Sequence, residues 1–236
     1  MHKLLSCGII FVEKEEVSPV IQNEKIKSCS LFSGLSDEEC REALSRLKAT
    51  ASCYRKGEIL RAAGTSLSSF GLVTRGVVQV FMDDINGDQI IMATAHEGRT
   101  FGESLSFLRV SEIPVSIYAA EDCEVLWLNP EGLENTHCGD RLGIELYHRF
   151  VATLAERALD MNDRIQVLSK LTLREKLLTL FSQYANKNGS RTFSLPLNRE
   201  QLAAYLGVNR SALSRELCRM RDEKIIEFYK NTFKIL

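Results

Sequence analysis

The chain has 236 residues, 44% of them hydrophobic, and balances 30 Lys+Arg against 31 Asp+Glu. That length and composition exclude a disordered chain and allow one large or two modest domains. The near-zero balance hides a division: residues 1–169 carry 17 basic and 25 acidic side chains, residues 170–236 carry 13 and 6. An acidic body with a basic end of domain size points to a polyanion partner for the last third, chance clustering of solvated charge being the alternative.

Taken in chain order, residues 1–24 form a poorly specified leader or start-site extension. Its apolar run Leu4–Val12 is too short for a membrane span, and "EKEE" stands where a signal-peptide cleavage site would need small residues. Residues 25–48 carry apolar and charged residues at helical spacing, with Ser36 as the cap of "DEECREALSRL". From Ala49 to Asn129 short apolar segments such as "FGLVTRGVVQVFM", "QIIMATA" and "CEVLWLN" are cut by turn signals at Gly57, Gly64, Gly76, Asn86-Gly87 and Gly98. Asn86-Gly87 between two strand-like runs predicts a two-residue hairpin, and the spacing as a whole predicts an antiparallel sandwich or jelly roll.

After Asn129-Pro130 the periodicity turns helical. Tyr147, Val151, Leu154, Ala158, Met161, Ile165 and Leu168 step alternately by four and three, a heptad seam flanked by charge. Such a stripe either packs on its own domain or pairs with a second copy. Three clean heptads on a narrow face favour a parallel dimer. Thr172 to Glu175 then has the form of a capping box opening "LREKLLTLFSQYA", followed by a strand-like "TFSLPL". Asn198 caps a further helix that buries Leu202, Ala203 and Leu206, with Gln201 completing the box. Gly207 supplies a left-handed turn with Val208 plugging the angle. Asn209 caps a second helix whose Ala212, Leu213, Leu217 and Met220 face inward. Arg210, Ser211, Ser214, Arg215 and Arg219 are left on its outer face, where a recognition helix meets base edges and phosphates. "IIEFY-KN-TFKIL" reads as a closing hairpin around Lys230-Asn231. The predicted class is therefore α+β: an N-terminal double-stranded β-helix (jelly roll) over 25–135, a long dimerisation helix over 136–169, and a winged helix-turn-helix over 170–236.

From about Lys25 to the C-terminus this sequence resembles the Crp/Fnr family of bacterial transcription regulators. The resemblance rests on the glycine-punctuated roll, "FGES" at 101–104, the heptad helix and "LGVNRSALSREL" at 206–217. It implies a cyclic-nucleotide-binding-type roll, a dimer through the long helix, and paired recognition helices on a palindromic site. Arg215 matches the arginine that reads guanine in the half-site, with Ser214 beside it and Asn209 at the cap. Many members have glutamate where Ser211 stands, so neither of the best-known half-sites is assumed.

The resemblance also locates a candidate effector pocket at Gly102, Glu103, Ser104, Ile113 and Pro114. Gly102-Glu103 matches the pair that holds ribose in cyclic-AMP-binding members, and reads here as a structural turn. Those members carry an Arg-Ser pair about ten residues on, where this chain has Ile113-Pro114. A partly buried phosphate without a guanidinium would be unpaired at a cost of roughly several kcal/mol, so cyclic AMP is not expected. The cysteines at 7, 29, 40, 53, 123, 138 and 218 are irregularly spaced, with Cys123 in an apparent core strand. Neither a disulfide framework, a zinc site nor an iron–sulfur cluster is expected. His96 and His137 are available as haem ligands, but a lone histidine is a poor signal and haem is not expected. No nucleophile elbow, phosphate loop or paired metal ligands stand out, so no enzyme and no metal are predicted.

These readings converge on a cytoplasmic, sequence-specific DNA-binding transcription regulator. It would act as a homodimer on a palindromic double-stranded operator, with an unidentified effector in the roll and no membrane contact. RNA polymerase is a partner if the protein activates. The alternative is a ligand-binding module whose C-terminal domain makes protein contacts only.

Overall fold

The computed structural model describes residues 24–83, 89–134 and 140–236. They form an α+β chain in two compact units that divide after Leu154. The first unit opens with α1 (Glu24–Ser28) and α2 (Asp37–Arg46), the latter started by the expected capping box between Ser36 and Glu39. The strands are β1 (Thr50–Tyr54), β2 (Ile59–Arg61), β3 (Phe70–Arg75), β4 (Val78–Asp83), β5 (Gln89–Ala95), β6 (Thr100–Phe101), β7 (Ser116–Ala119) and β8 (Cys123–Leu128). Two short helices, α3 (Glu103–Phe107) and α4 (Glu131–Glu134), lie among them, and α5 (Arg141–Leu168) follows.

The strands make two antiparallel four-stranded sheets, ordered β1-β8-β3-β6 and β2-β7-β4-β5. Strand β8 shows why no simple alternation marks the first sheet. Successive side chains point to opposite faces, and here both faces are covered. Cys123, Val125 and Trp127 join the inside of the roll with Val73, Ile117 and Phe101. Leu126 and Leu128 join Phe70, Leu72 and the helices' Phe32, Leu44, Leu146 and Phe150 on the outside. The Phe150 ring stands 5.3 Å from those of both Phe70 and Phe107, which fixes the start of α5 on this unit.

Gly71 leaves room for the Phe101 ring, because a Cβ there would lie 2.1 Å from it. Gly76 turns the chain at φ +81°, beside the Asp122 carbonyl, where a side chain would be strained and would collide. Strands β4 and β5 pair from Val78↔Ala95 to Asp83↔Gln89. The Asn86-Gly87 turn itself lies outside the described residues, as do His137 and residues 1–23 of the leader.

The second unit contains the end of α5, α6 (Leu173–Asn188), β9 (Thr192–Ser194), α7 (Arg199–Leu206), α8 (Arg210–Asp222), β10 (Ile226–Tyr229) and β11 (Thr232–Ile235). Thr172 and Glu175 form the expected capping box, and left-handed Gly189 ends α6. The hairpin closes at Lys230-Asn231 and pairs with β9, giving the sheet order β10-β11-β9. Phe181, Phe193 and Phe233 pack together at its centre with Leu177, Leu206, Leu213 and Leu217.

Along α5 the heptad positions Tyr147, Val151, Ala158, Met161, Ile165 and Leu168 are exposed. Leu154 differs: it is half-buried and packs against the first unit's core, because it lies four residues beyond Phe150 on the inward edge of the stripe. Ile144, 53% exposed and three residues before Tyr147, extends the same stripe toward the helix start.

Candidate nucleic-acid interface

The interface is built by local signals. Asn198 accepts hydrogen bonds from the backbone N–H groups of Glu200 and Gln201, while Gln201 accepts from the Asn198 N–H. Four orphan N–H groups begin any helix, and this box satisfies part of that demand. Gly207, at φ +67°, ends α7 and lets the chain turn into α8 within two residues. Val208 is half-buried in that angle and packs on the unit's core.

Asn209 then caps α8, accepting from the Ala212 N–H at 2.8 Å. Ser211 donates its hydroxyl to the same Asn209 oxygen, also at 2.8 Å, so the serine first identified as an outward contact is tied into the cap. The inner positions Leu213, Leu217 and Met220 are fully buried, and Ala212 is half-buried.

Asn209, Arg210, Ser211, Ser214, Arg215 and Arg219 are all exposed. Among the described residues Arg210 and Arg215 make no hydrogen bond or ion pair, whereas Arg219 reaches Glu216 at 3.5 Å. The acids near this surface are held elsewhere. Arg174 at the start of α6 donates to Glu216 at 2.6 Å and grips both oxygens of Glu223 at 2.6 and 3.0 Å. This forked pairing raises the Arg174 pKa, first through Glu223, and lowers that of Glu223.

Sequence reasoning missed Arg174, because a contact 42 to 49 residues away has no local signature. It also missed Arg199. That side chain donates to the Lys230 carbonyl at 2.8 Å and lies over Phe228 and Phe233 at 5.1 and 5.0 Å, pinning the wing to the first residue of α7. Burial lowers its pKa. Beyond it the wing tip presents Tyr229, 75% exposed, with Lys230 beside the ring.

The candidate effector residues do not share one surface. Gly102 is left-handed at φ +79° and begins α3; a Cβ there would lie 2.8 Å from Leu67. Glu103 and Ile113 are buried, while Ser104 and Pro114 are exposed. Ile113 belongs to the interior of the roll with Leu60, Leu67 and Trp127, and exchanges backbone hydrogen bonds with Gly64 and Thr65. The Trp127 indole donates to the Tyr54 hydroxyl at 3.0 Å, under the Arg61 guanidinium. Arg109 is exposed and pairs with Glu134 at 2.8 Å. Among the described residues no group of His, Cys, Asp and Glu could hold a metal ion, and no helix is long and apolar enough to cross a membrane.

A jelly-roll unit, a long helix and a winged helix-turn-helix with an exposed basic recognition face define a DNA-binding regulator of the cyclic-nucleotide-binding type. Comparison with known proteins agrees. The cyclic nucleotide-binding domain family matches residues 52–137 and the Crp-like helix-turn-helix domain family matches residues 173–236. The cyclic AMP receptor protein of Thermus thermophilus is 27% identical over 210 residues, covering 89% of this chain and 94% of its own. The transcriptional activator protein FnrA of Stutzerimonas stutzeri is 25% identical over 223 residues, covering 89% and 88%. In fold, the global regulator CLP of Xanthomonas campestris superposes with a TM-score of 0.56 at 16% identity, over 85% of this chain and 99% of that one. The chain belongs to the Crp/Fnr family of transcription regulators.

Proposed function

We propose that the protein acts as a homodimer that binds a palindromic operator sequence-specifically and performs no catalysis. The observation that carries this reading is the outer face of α8. Two arginines there have no partner among the described residues, while the inner face is anchored by Leu213, Leu217 and Met220. Arginine can donate twice to guanine O6 and N7, so Arg215 is assigned to a base and Arg210 and Arg219 to phosphates or neighbouring bases. The exposed stripe from Ile144 to Leu168 on α5 supports pairing with a second copy, since apolar residues at this density on one helix face call for a partner.

An effector in the roll is part of the proposal, but cyclic AMP is not the one we assign, although the Thermus relative is named for it. Ile113 offers no charge and Pro114 no backbone N–H to a phosphate. The deciding experiment is selection of a bound site from random DNA, followed by binding to that site and to random duplex across a salt series. A palindromic selected site with steeply salt-dependent affinity supports the reading. Failure to enrich any site, with no salt-dependent binding, leaves a module that makes protein contacts only.

A further inference from the structure

In the second unit, the end of α5 with helices α6 and α7 borders a cavity of about 330 Å³, within the range that holds small organic ligands. Its walls are partly apolar, through Met161 and Leu180, and partly aromatic, through Tyr184 and Tyr205. Its charges are unevenly engaged. Lys187 bridges Asp160 at 3.2 Å and Asp163 at 3.0 Å, so that cation is held by two carboxylates. Gln183 donates to the Asp163 carbonyl at 3.0 Å. Arg164 makes no ion pair among the described residues; it lies over the Tyr205 ring at 5.2 Å, and its Nε–H is enclosed with no acceptor. An enclosed donor without an acceptor is destabilising, and a guanidinium stacked on a ring keeps its edge available to a planar anion.

We propose that this cavity binds a small aromatic monocarboxylate, the carboxylate accepting from Arg164 and the ring lying among Tyr184, Tyr205, Met161 and Leu180. One negative charge brings the lining's lone unmatched cation into a pair. A second charge would face Asp160 and Asp163 and be repelled. Burial raises both tyrosine pKa values, so near neutral pH both stay uncharged phenols that can donate to the ligand. The site is separate from the roll and its residues are not those assigned to DNA.

The test is calorimetric titration of the full chain, without DNA, with 1-naphthoate, its neutral amide 1-naphthamide, and the dianion phthalate. Expected is saturable 1-naphthoate binding, about tenfold or more weaker binding of the amide, and no phthalate binding. Arg164→Gln should weaken 1-naphthoate about tenfold and leave the amide unchanged, with Arg164→Lys no better, since it restores charge but not the Nε–H. The proposal is overturned by absence of saturable 1-naphthoate binding up to about 1 mM, as a cavity filled by water or by a partner's helix would give. Equal affinity for acid and amide overturns it too, and that comparison needs no substitution and so stands even if the Arg164 variants fail to fold.

Discussion

Arg215→Ala tests the recognition face most directly. Arg215 is exposed and makes no hydrogen bond or ion pair among the described residues, so nothing inside the protein is left unsatisfied by its removal. Alanine is also a better helix former, and stability should change by no more than about 0.5 kcal/mol. Loss of a two-hydrogen-bond contact to guanine costs about 1–3 kcal/mol at one base pair. A palindrome contains that base pair twice, and well-separated sites add, so the dimer should lose about 2–6 kcal/mol, or about 30- to 25,000-fold.

Fluorescence anisotropy on the selected operator and on random duplex of equal length separates the possible roles. A base reader loses affinity for the operator only, and variants of the guanine position become equivalent. A phosphate contact instead weakens both duplexes alike and flattens the salt slope by about 0.9 per contact. Equal loss on both duplexes with a flattened slope would refute base reading.

Ile165→Asp should give monomers in sedimentation and abolish operator binding, since Ile165 is 61% exposed and its loss leaves the core intact. Leu154→Asp is the poorer test, because Leu154 also packs on the first unit's core. A dimeric Ile165→Asp protein would move the interface off this stripe. Cyclic AMP should produce no melting shift, whereas a ligand at a hundred times its dissociation constant adds about 2.7 kcal/mol; a saturable shift would reverse our assignment. Iodoacetamide at pH 8 should modify exposed Cys218 but spare buried Cys123, whose pKa burial pushes up to about 11; rapid labelling of Cys123 in the native protein would contradict that burial. Backbone donation at Thr172 holds the Glu175 carboxyl below its ordinary value of 4.5. A depressed folded-state pKa means stability that is present at neutral pH and fades as pH falls through that value. Glu175→Gln should therefore flatten the acid limb of a melting series, and an unchanged limb would remove the cap from the account.

What could be read from the sequence was whatever is local. The boxes at Ser36, Thr172 and Asn198, the left-handed Gly207 and the Lys230-Asn231 turn each involve residues within a few positions, and each stands in the structure as expected. The roll was legible as a class but not in its pairings. Strand β1 meets β8 some seventy residues later, and no short-range pattern encodes that register. Burial on both faces of β8 likewise removed the alternation that would have told inside from outside. For the same reason Ile113 could be placed near the ribose-type pair but not seen as a core residue. Arg174, Arg199 and the Arg164 cavity depend on helices that meet only in the folded unit.

The two faces of α8 show how one period of 3.6 residues serves two ends. Leu213, Leu217 and Met220 recur at four and three, and all are buried. That anchoring lets the outer face stay polar, with Arg210 and Arg215 unpaired among the described residues, without cost to the fold. It matters also that Glu216, one position from Arg215, is drawn inward by Arg174, leaving its side chain 14% exposed. An unrestrained carboxylate beside Arg215 would compete with DNA for the guanidinium and repel phosphates. On the proposed reading, Arg174 would serve recognition by holding Glu216, with no contact to DNA required. The basic excess of residues 170–236 thus includes cations that satisfy the protein's own acids and cations with no partner among the described residues. Arg210 and Arg215 belong to the second group, on the side of α8 that turns away from the core.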